Sequence, residues 1–264
     1  GPKSAINLIK DLNMFKKILI LFIFVFFQSS HLYSREFNYE VYGLNLNFLS
    51  IKYNVSDKKL YSIINSKGLA GYFIKSQSII QTTIDKENNS LSYYFNSLKK
   101  NKEKTYHYKK INNKIDLDKI KLNKGENFKK ITRSDLLNTL DPLSAVELIL
   151  FDNVLNSKCK NKQKIFDGDD VYLVSLTKNK INYPFIKYKN QNYKISFSCR
   201  LNYKAISGHK FKREKRLNSL HMDIYFSKIS GDIIPVYFEA KAKLLPIKMY
   251  LSTILTPWFI FKDH

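Results

Sequence analysis

The sequence predicts a mainly β fold, built as a curled antiparallel sheet or half-open barrel of about ten strands with one helix packed against it. Three features lead to this prediction. Apolar and polar residues alternate along many segments, hairpin-length links join those segments, and a single stretch shows helical spacing. Because a flat antiparallel sheet of that size leaves long edges and one apolar face exposed, we expect it to curl around the helix.

Alternating segments follow one another from Phe37 to Phe261. In the clearest of them, Tyr193 to Tyr203, every second residue is apolar, as in a strand with one buried face. Residues 112–130 are rich in Lys and Asn without clear periodicity, and we expect an exposed loop there. Strands are predicted at residues 37–41, 49–55, 74–84, 91–98, 105–111, 171–176, 185–188, 193–203, 220–226, 236–244 and 248–261, with 60–64 continuing the first meander and 165–166 on the other side of the turn that precedes 171–176.

The helical signal lies in residues 141–155. Asp141 suits the N-cap and Pro142 the first helical position. Apolar residues then recur every three or four positions, at Leu143, Val146, Leu150 and Val154. Since they share one face, we expect the helix to lie across the sheet.

The start of the chain has the pattern of a secretory signal peptide at residues 14–34. Met14 and a basic stretch precede an unbroken apolar run over residues 18–27, and Ser34 closes a tolerable cleavage site. The pattern predicts export to the periplasm. An uncleaved signal anchor in the inner membrane is the alternative.

We expect residues 1–13 to lie upstream of a natural start at Met14 and to take no part in the fold. The remaining chain, residues 35–264, is predicted to form a single β-rich domain, because it is long enough for one substantial core.

The two cysteines are predicted to form a disulfide. Cys199 points into the buried face of its strand, and Cys159 follows the helix. Export would place both in an oxidising compartment, where a pair of cysteines forms a disulfide more often than a metal or redox site. Two separately buried thiols are the alternative.

The chain is strongly basic, with a net charge of +23. Such a charge favours nucleic acid or another anionic partner. We expect no nucleic-acid partner, because an exported protein is separated from the nucleic acids of the cell. In addition, the basic residues are mostly scattered lysines rather than arginines. The densest cluster, Lys210 to Arg216, is interpreted as a solvated loop or as a contact with anionic lipid headgroups, so peripheral membrane contact remains open.

The sequence contains no motif that predicts catalysis, a metal site or a cofactor. Asp167 to Asp170 contains an Asp-Gly pair and favours a hairpin turn over a calcium loop. His209 is the one histidine kept as a candidate for a ligand or catalytic role. A hydrolase using His209 is therefore the less favoured function.

The aromatic residues at alternating positions either fill the core or line an apolar cavity within a curled sheet. The candidate ligand-binding residues are Tyr193, Ile195, Phe197, Leu201, Tyr203 and His209.

Several short motifs, in this order, resemble an exported proteobacterial family known as domain of unknown function 3108. They are Phe37 to Gly43, Asp141 to Ala145, Phe166 to Gly168, Cys199, Ala205 to His209 and Glu239 to Leu244. The resemblance implies a periplasmic protein whose curved antiparallel sheet surrounds a helix, similar to lipoprotein carriers. Fold likeness of this kind does not define a function.

The sequence thus predicts a non-enzymatic periplasmic binding protein that carries or senses a lipid or another apolar envelope component. The alternative is an envelope assembly factor with a packed core, a protein partner and a lysine-rich surface that meets anionic molecules. The sequence predicts no oligomeric state.

Overall fold

The computed structural model describes residues 34–68, 71, 75–115, 125–152, 159–180, 183–241 and 246–255. These residues belong to one compact unit, Ser34–His264, which is distinct from Gly1–Tyr33. The predicted signal peptide, apart from Ser34, lies outside the described residues, as does most of the predicted loop at 112–130.

The described residues form one sheet of fourteen strands, and every strand pairing in it is antiparallel. The strands are β1 (Arg35–Gly43), β2 (Leu46–Val55), β3 (Lys59–Ser66), β4 (Ser76–Asp85), β5 (Ser90–Lys99), β6 (Lys102–Ile111), β7 (Lys114–Ile115), β8 (Asn161–Phe166), β9 (Val171–Lys178), β10 (Phe185–Tyr188), β11 (Gln191–Ser207), β12 (His221–Ile229), β13 (Asp232–Lys241) and β14 (Pro246–Leu255). Their spatial order is β7-β6-β5-β4-β3-β2-β1-β14-β13-β12-β11-β9-β8, with β10 paired to β11 beside this path.

The prediction of a mainly β, antiparallel fold is confirmed, but the predicted count of about ten strands is too low. The predicted continuation of the meander at 60–64 is confirmed as β3, whereas β7, with two residues, was not predicted. β8 has six residues, of which just the last two, Ile165 and Phe166, are buried. Strands this short or this mixed carry too few alternating positions to produce a clear period-two pattern.

The helices are short. They are α1 (Arg133–Leu136), α2 (Pro142–Glu147), which continues as a π-helical turn (Leu148–Asp152), a 3-10 turn (Phe211–Arg213) and α3 (Glu214–Asn218). The single helix predicted at 141–155 therefore begins as expected, but its α-helical part ends at Glu147, and residues 153–155 lie outside the described residues. Within the described ranges, no helix has both the length and the apolar character needed to cross a membrane.

Asp141 fixes the start of α2 against the middle of the sheet. Its Oδ1 accepts hydrogen bonds from the backbone N–H groups of Leu143 and Ser144, at 3.0 and 3.1 Å, which is the N-cap arrangement. The same oxygen accepts a 2.5 Å hydrogen bond from the hydroxyl of Thr82 on β4. Asp141 and Thr82 are both buried, so this contact anchors the helix to the sheet in an environment where hydrogen bonds are costly to lose.

Aromatic side chains pack the helical segment against the first strands. The ring of Phe151, in the π-helical turn, lies 4.8 Å from that of Phe37 and 5.9 Å from that of Tyr53. The Tyr53 hydroxyl donates to Glu147 Oε2 at 3.0 Å. This cluster joins β1, β2 and the helix into one core, as expected of an apolar helical face that lies on a sheet.

The two ends of the curled sheet meet through side chains rather than through a described hydrogen-bond ladder. From the β6 side, the Tyr108 hydroxyl donates to the backbone oxygen of Phe166 at 2.9 Å. Lys104 Nζ lies 2.8 Å from Asp169 Oδ2. The turn between β8 and β9 therefore rests on β6, and the sheet curls without closing fully.

Two glycines allow the backbone to approach closely at this junction. A Cβ atom on Gly168 would lie 2.6 Å from the Cβ of Tyr106, and one on Gly208 would lie 2.4 Å from the backbone oxygen of Asp169. Both glycines have positive φ, +91° and +89°. The junction therefore has no room for a side chain at either position.

The predicted disulfide is confirmed. Cys159 and Cys199 are bonded, with Cα atoms 5.4 Å apart, and both are buried. The bond ties the segment before β8 to the middle of β11 across 40 residues of sequence.

Removing the disulfide is expected to destabilise the protein. A Cys159→Ala/Cys199→Ala variant should lose about 2–4 kcal/mol of unfolding free energy, because the unfolded chain regains the entropy of an open loop. Urea unfolding followed by circular dichroism measures this. An equal midpoint for the variant and the oxidised wild type would contradict the prediction.

Gly208→Ala is expected to destabilise the protein by about 1–3 kcal/mol more than Gly231→Ala, because it adds a backbone clash. Gly231 is a matched control, since its φ is +96° but a Cβ there would meet nothing within 4 Å. Both substitutions share the strain of positive φ. Comparing their urea midpoints isolates the packing at the junction, and equal midpoints would show that the junction tolerates a methyl group.

Candidate functional site

A cavity of about 400 Å³ lies between the helical segment 142–150 and strands β8, β9, β11 and β12. Helix α2 and the π-helical turn form one wall, and the face of the sheet that carries Leu201 and Met222 forms the other. Most of the lining is apolar, formed by Pro142, Ala145, Val146, Ile149, Leu150, Ile165, Val174, Leu201 and Met222. We call this space the helix cavity.

The polar part of the helix cavity is formed by Asp167, Tyr172 and Tyr203. The two tyrosine rings are stacked, with centroids 4.8 Å apart. Asp167 Oδ1 accepts hydrogen bonds from the backbone N–H groups of Asp169 and Asp170, at 2.9 and 2.7 Å. The Asp167 side chain thus shapes the β8–β9 turn and also reaches the cavity.

Burial raises the pKa of Asp167 to about 6, and the neighbouring carboxylates of Asp170 and Asp169 contribute in the same direction. The two backbone N–H donors act in the opposite direction. Burial also raises the pKa of Tyr203, followed by the charges of Asp170 and Asp167. At neutral pH this region is therefore negative or neutral, which disfavours an anionic ligand group beside Asp167.

A second, smaller cavity of about 250 Å³ includes Arg35, Tyr193, Ile229 and Ile234 in its lining. The Arg35 guanidinium lies 5.7 Å from the centre of the Phe37 ring. Glu147 and Asp232 approach it at 3.6 and 3.8 Å. Because carboxylates already surround this arginine, the second cavity is a poorer candidate for binding an anionic ligand.

The structure does not bring all the predicted ligand-binding residues together. Leu201 and Tyr203 line the helix cavity, whereas Tyr193 lines the second cavity. Ile195 belongs to the buried core, and Phe197 stacks on Phe226 with ring centroids 4.9 Å apart.

Two properties of β11 separate these residues. Tyr193 and Tyr203 are separated by ten residue steps of extended strand, about 33 Å, which exceeds the length of one small cavity. A register shift between Ile195 and Phe197 also interrupts the pairing with β12. Alternation alone therefore could not group these side chains.

His209 lines neither of these two cavities. It is 3% exposed, beneath the segment 211–218, and its Nε2 lies 3.7 Å from Glu214 Oε2. Its backbone oxygen accepts a hydrogen bond from the N–H of Lys129. These contacts describe a packed histidine with no open approach for a substrate.

Asp167 and Tyr172 were missed as cavity residues by the sequence reasoning. The Asp-Gly pair correctly indicates the turn at 167–170, but the turn signal does not tell where the aspartate side chain points. Tyr172 stands between Val171 and Leu173 in an apolar stretch, where alternation is not visible.

Comparisons with known proteins do not identify a family for this chain. No protein family and no curated protein matches the chain. It is similar to the crystal structure of a beta-barrel-like protein of domain of unknown function DUF1849 from Brucella abortus, with 10% identity, a TM-score of 0.47, and coverage of 85% of this chain and 98% of that one. It is also similar to a DUF1329 family protein from Desulfovibrio piger, with 10% identity, a TM-score of 0.32, and coverage of 87% of each chain.

Both TM-scores are below 0.5, so neither similarity carries a conclusion about this chain. The resemblance to domain of unknown function 3108 gains no specific support from these comparisons and stays a prediction.

Asp167→Asn is expected to change how stability depends on pH. In the wild type, the folded state binds the proton of Asp167 more tightly than the unfolded state does. The free energy of unfolding therefore falls as pH rises from about 4 to about 6, and this loss stays constant at higher pH. The variant keeps an oxygen for the two backbone donors but does not titrate. Its stability relative to wild type should rise by up to about 3 kcal/mol across this range.

Urea unfolding at several pH values between 4 and 7 tests this. Asp57→Asn, in the exposed β2–β3 turn, is the control. A stability difference between Asp167→Asn and wild type that does not change with pH would contradict the prediction.

Proposed function

We propose that this protein is a non-catalytic binding protein that holds a lipid or another apolar molecule in the helix cavity. The observation that carries the proposal is the cavity itself, an apolar space of about 400 Å³ between a helix and a sheet. The space is a groove that is partly open to solvent, since Pro142, Val146 and Met222 in its lining are only half-buried. An apolar occupant would remove this apolar lining from water, which is favourable.

The surroundings of the cavity support this interpretation. Elsewhere the core is packed through aromatic contacts, such as Phe37 against Phe151 and Phe197 against Phe226. The cavity volume lies within the range of small-molecule sites, roughly 300–1,000 Å³. Its largely aliphatic lining with a few converging polar groups is also typical of such sites.

The polar part of the cavity suggests the chemistry of the ligand. The Asp167 carboxyl and the hydroxyls of Tyr172 and Tyr203 offer hydrogen bonds to a head group. A carboxylate ligand group beside Asp167 would be repelled. We therefore favour an amphipathic ligand with an uncharged or donor-rich head next to Asp167 and a chain along Val146, Leu150 and Met222.

The periplasmic location is part of the proposal. The apolar run at residues 18–27 after a basic stretch supports export. The Cys159–Cys199 disulfide is consistent with it, because disulfides persist in oxidising compartments. A role as an envelope assembly factor is the alternative, favoured if the cavity proves to have no ligand.

Native mass spectrometry of the protein purified from its own host is the first experiment. We expect a mass excess over the polypeptide that is removed by solvent extraction and identified as a lipid or another apolar molecule. A bare polypeptide that also fails to bind the apolar dye N-phenyl-1-naphthylamine would overturn the proposal.

Val146→Trp should fill the helix cavity and weaken dye binding at least tenfold, because the indole occupies the ligand's space. Leu137→Trp is the matched control, since Leu137 is 54% exposed in the link between α1 and α2 and does not line the cavity. Fluorescence titration of both variants, with urea midpoints to confirm folding, makes the comparison. Equal dye affinities would place the dye site elsewhere.

A further inference from the structure

The antiparallel topology gathers alternate strand connections at one end of the sheet. The connections that follow β1, β5, β8 and β11 lie at this end, because the paired residues of the strands that they join meet there. For example, Gly43 at the end of β1 pairs with Ile247 at the start of β14 and with Leu46 at the start of β2. We call this the basic end, and the other the opposite end.

The basic end carries the densest positive charge of the described chain. The connection after β11 contains Lys210, Lys212, Arg213, Lys215 and Arg216, of which the last four are exposed. The β5–β6 turn adds three exposed lysines between residues 99 and 102. Residues that are far apart in sequence thus add positive charge to the same end of the sheet.

Two of the acidic residues at this end have basic partners. Asp169 pairs with Lys104 at 2.8 Å, and Glu214 pairs with Lys129 at 3.3 Å. Glu103 and Glu126 are exposed at the same end, but the exposed basic groups at residues 212–216 and 99–102 outnumber them, so the net charge there is positive.

The basic end also exposes large apolar side chains. Leu44, Leu46, Leu98, Phe211 and Leu220 are 47–63% exposed, and Ile247 is 36% exposed. Large exposed apolar side chains interleaved with basic ones are the usual composition of a surface that lies in a lipid headgroup region.

The requirements of folding do not explain why residue 44 is a leucine. It occupies the two-residue turn between β1 and β2 with φ +51°, followed by Asn45 with φ +61°. This left-handed conformation favours Asn, Asp or Gly and costs energy for leucine. Leu44 is also 63% exposed, so neither backbone preference nor core packing accounts for a leucine there.

The opposite end has a different character. Its turns mix charges of both signs, as in Asp57 beside Lys58 and in Asp85, Lys86 and Glu87. Its positive charge is therefore partly balanced locally, and it provides an internal control for the basic end.

We propose that the basic end docks onto an anionic lipid bilayer, with Leu44 and Phe211 inserting among the headgroups and the surrounding lysines and arginines contacting lipid phosphates. Each basic residue near such a surface strengthens binding, and the attraction is screened by salt. The observations behind this docking surface are independent of the helix cavity, so the two proposals can fail separately.

The test is vesicle cosedimentation of residues 34–264, after urea unfolding has shown that this fragment folds cooperatively. The vesicles contain equal parts of phosphatidylglycerol and phosphatidylcholine, or phosphatidylcholine alone. We expect binding to the anionic vesicles, weakened by salt. The variant Lys212→Gln/Lys215→Gln/Arg216→Gln should bind roughly 100-fold more weakly.

The matched control is Lys58→Gln/Lys86→Gln/Lys114→Gln, which removes the same charge from exposed positions at the opposite end. It should bind within about threefold of wild type. Equal weakening in both triple variants would overturn the proposal, because it would show attraction by net charge alone. Absence of wild-type binding to anionic vesicles would overturn it as well.

Leu44→Asn separates docking from folding. Asparagine suits the turn better, so the free energy of unfolding should stay equal or increase, while vesicle binding should weaken roughly tenfold through the lost apolar insertion. A variant that binds the vesicles as tightly as wild type would contradict the insertion of Leu44.

Discussion

The contact of the Asp167–Asp170 turn with β6 and with the end of β11 holds the curl of the sheet. The turn joins β8 to β9 at one end of the strand order. On β6, near the other end, Lys104 binds Asp169 in the turn and Tyr108 binds Phe166 directly before it. Gly208 lets the end of β11 lie directly on the same turn. Because the described strands do not close by backbone pairing, these side-chain contacts hold the two ends of the sheet together.

The helix cavity depends on that curl and on the anchored helix. Asp141 holds α2 to Thr82 on β4, while the curl brings β8, β9 and β11 to the other side of the helix. The helix α2 and the π-helical turn that follows it form one wall of the cavity. Asp167 links the two parts, since one of its oxygens orders the turn and its carboxyl group reaches the cavity.

The cavity and the basic end suggest one arrangement for a protein that handles apolar molecules at a bilayer. The turn that carries Asp167 lies at the basic end, between β8 and β9. Docking through Leu44 and Phe211 would therefore bring the polar side of the cavity towards the lipid surface. Exchange of an amphipathic ligand between membrane and protein would then need only a short path through water.

The sequence by itself determined the local features: the antiparallel β class from alternation, the start of α2 from Asp141 and Pro142, and the turn at Asp167-Gly168. These depend on neighbours within a few residues, so one chain is enough to predict them. It also indicated the Cys159–Cys199 bond, since only two cysteines were available.

The tertiary structure decided which side chains meet. The register of β9 against β11 places Tyr172 beside Tyr203, the length of β11 separates Tyr193 from both, and the strand order gathers distant turns into one basic end. Such contacts depend on register, bulges and strand order, which arise from the packing of the whole sheet and leave no periodic signal in the sequence.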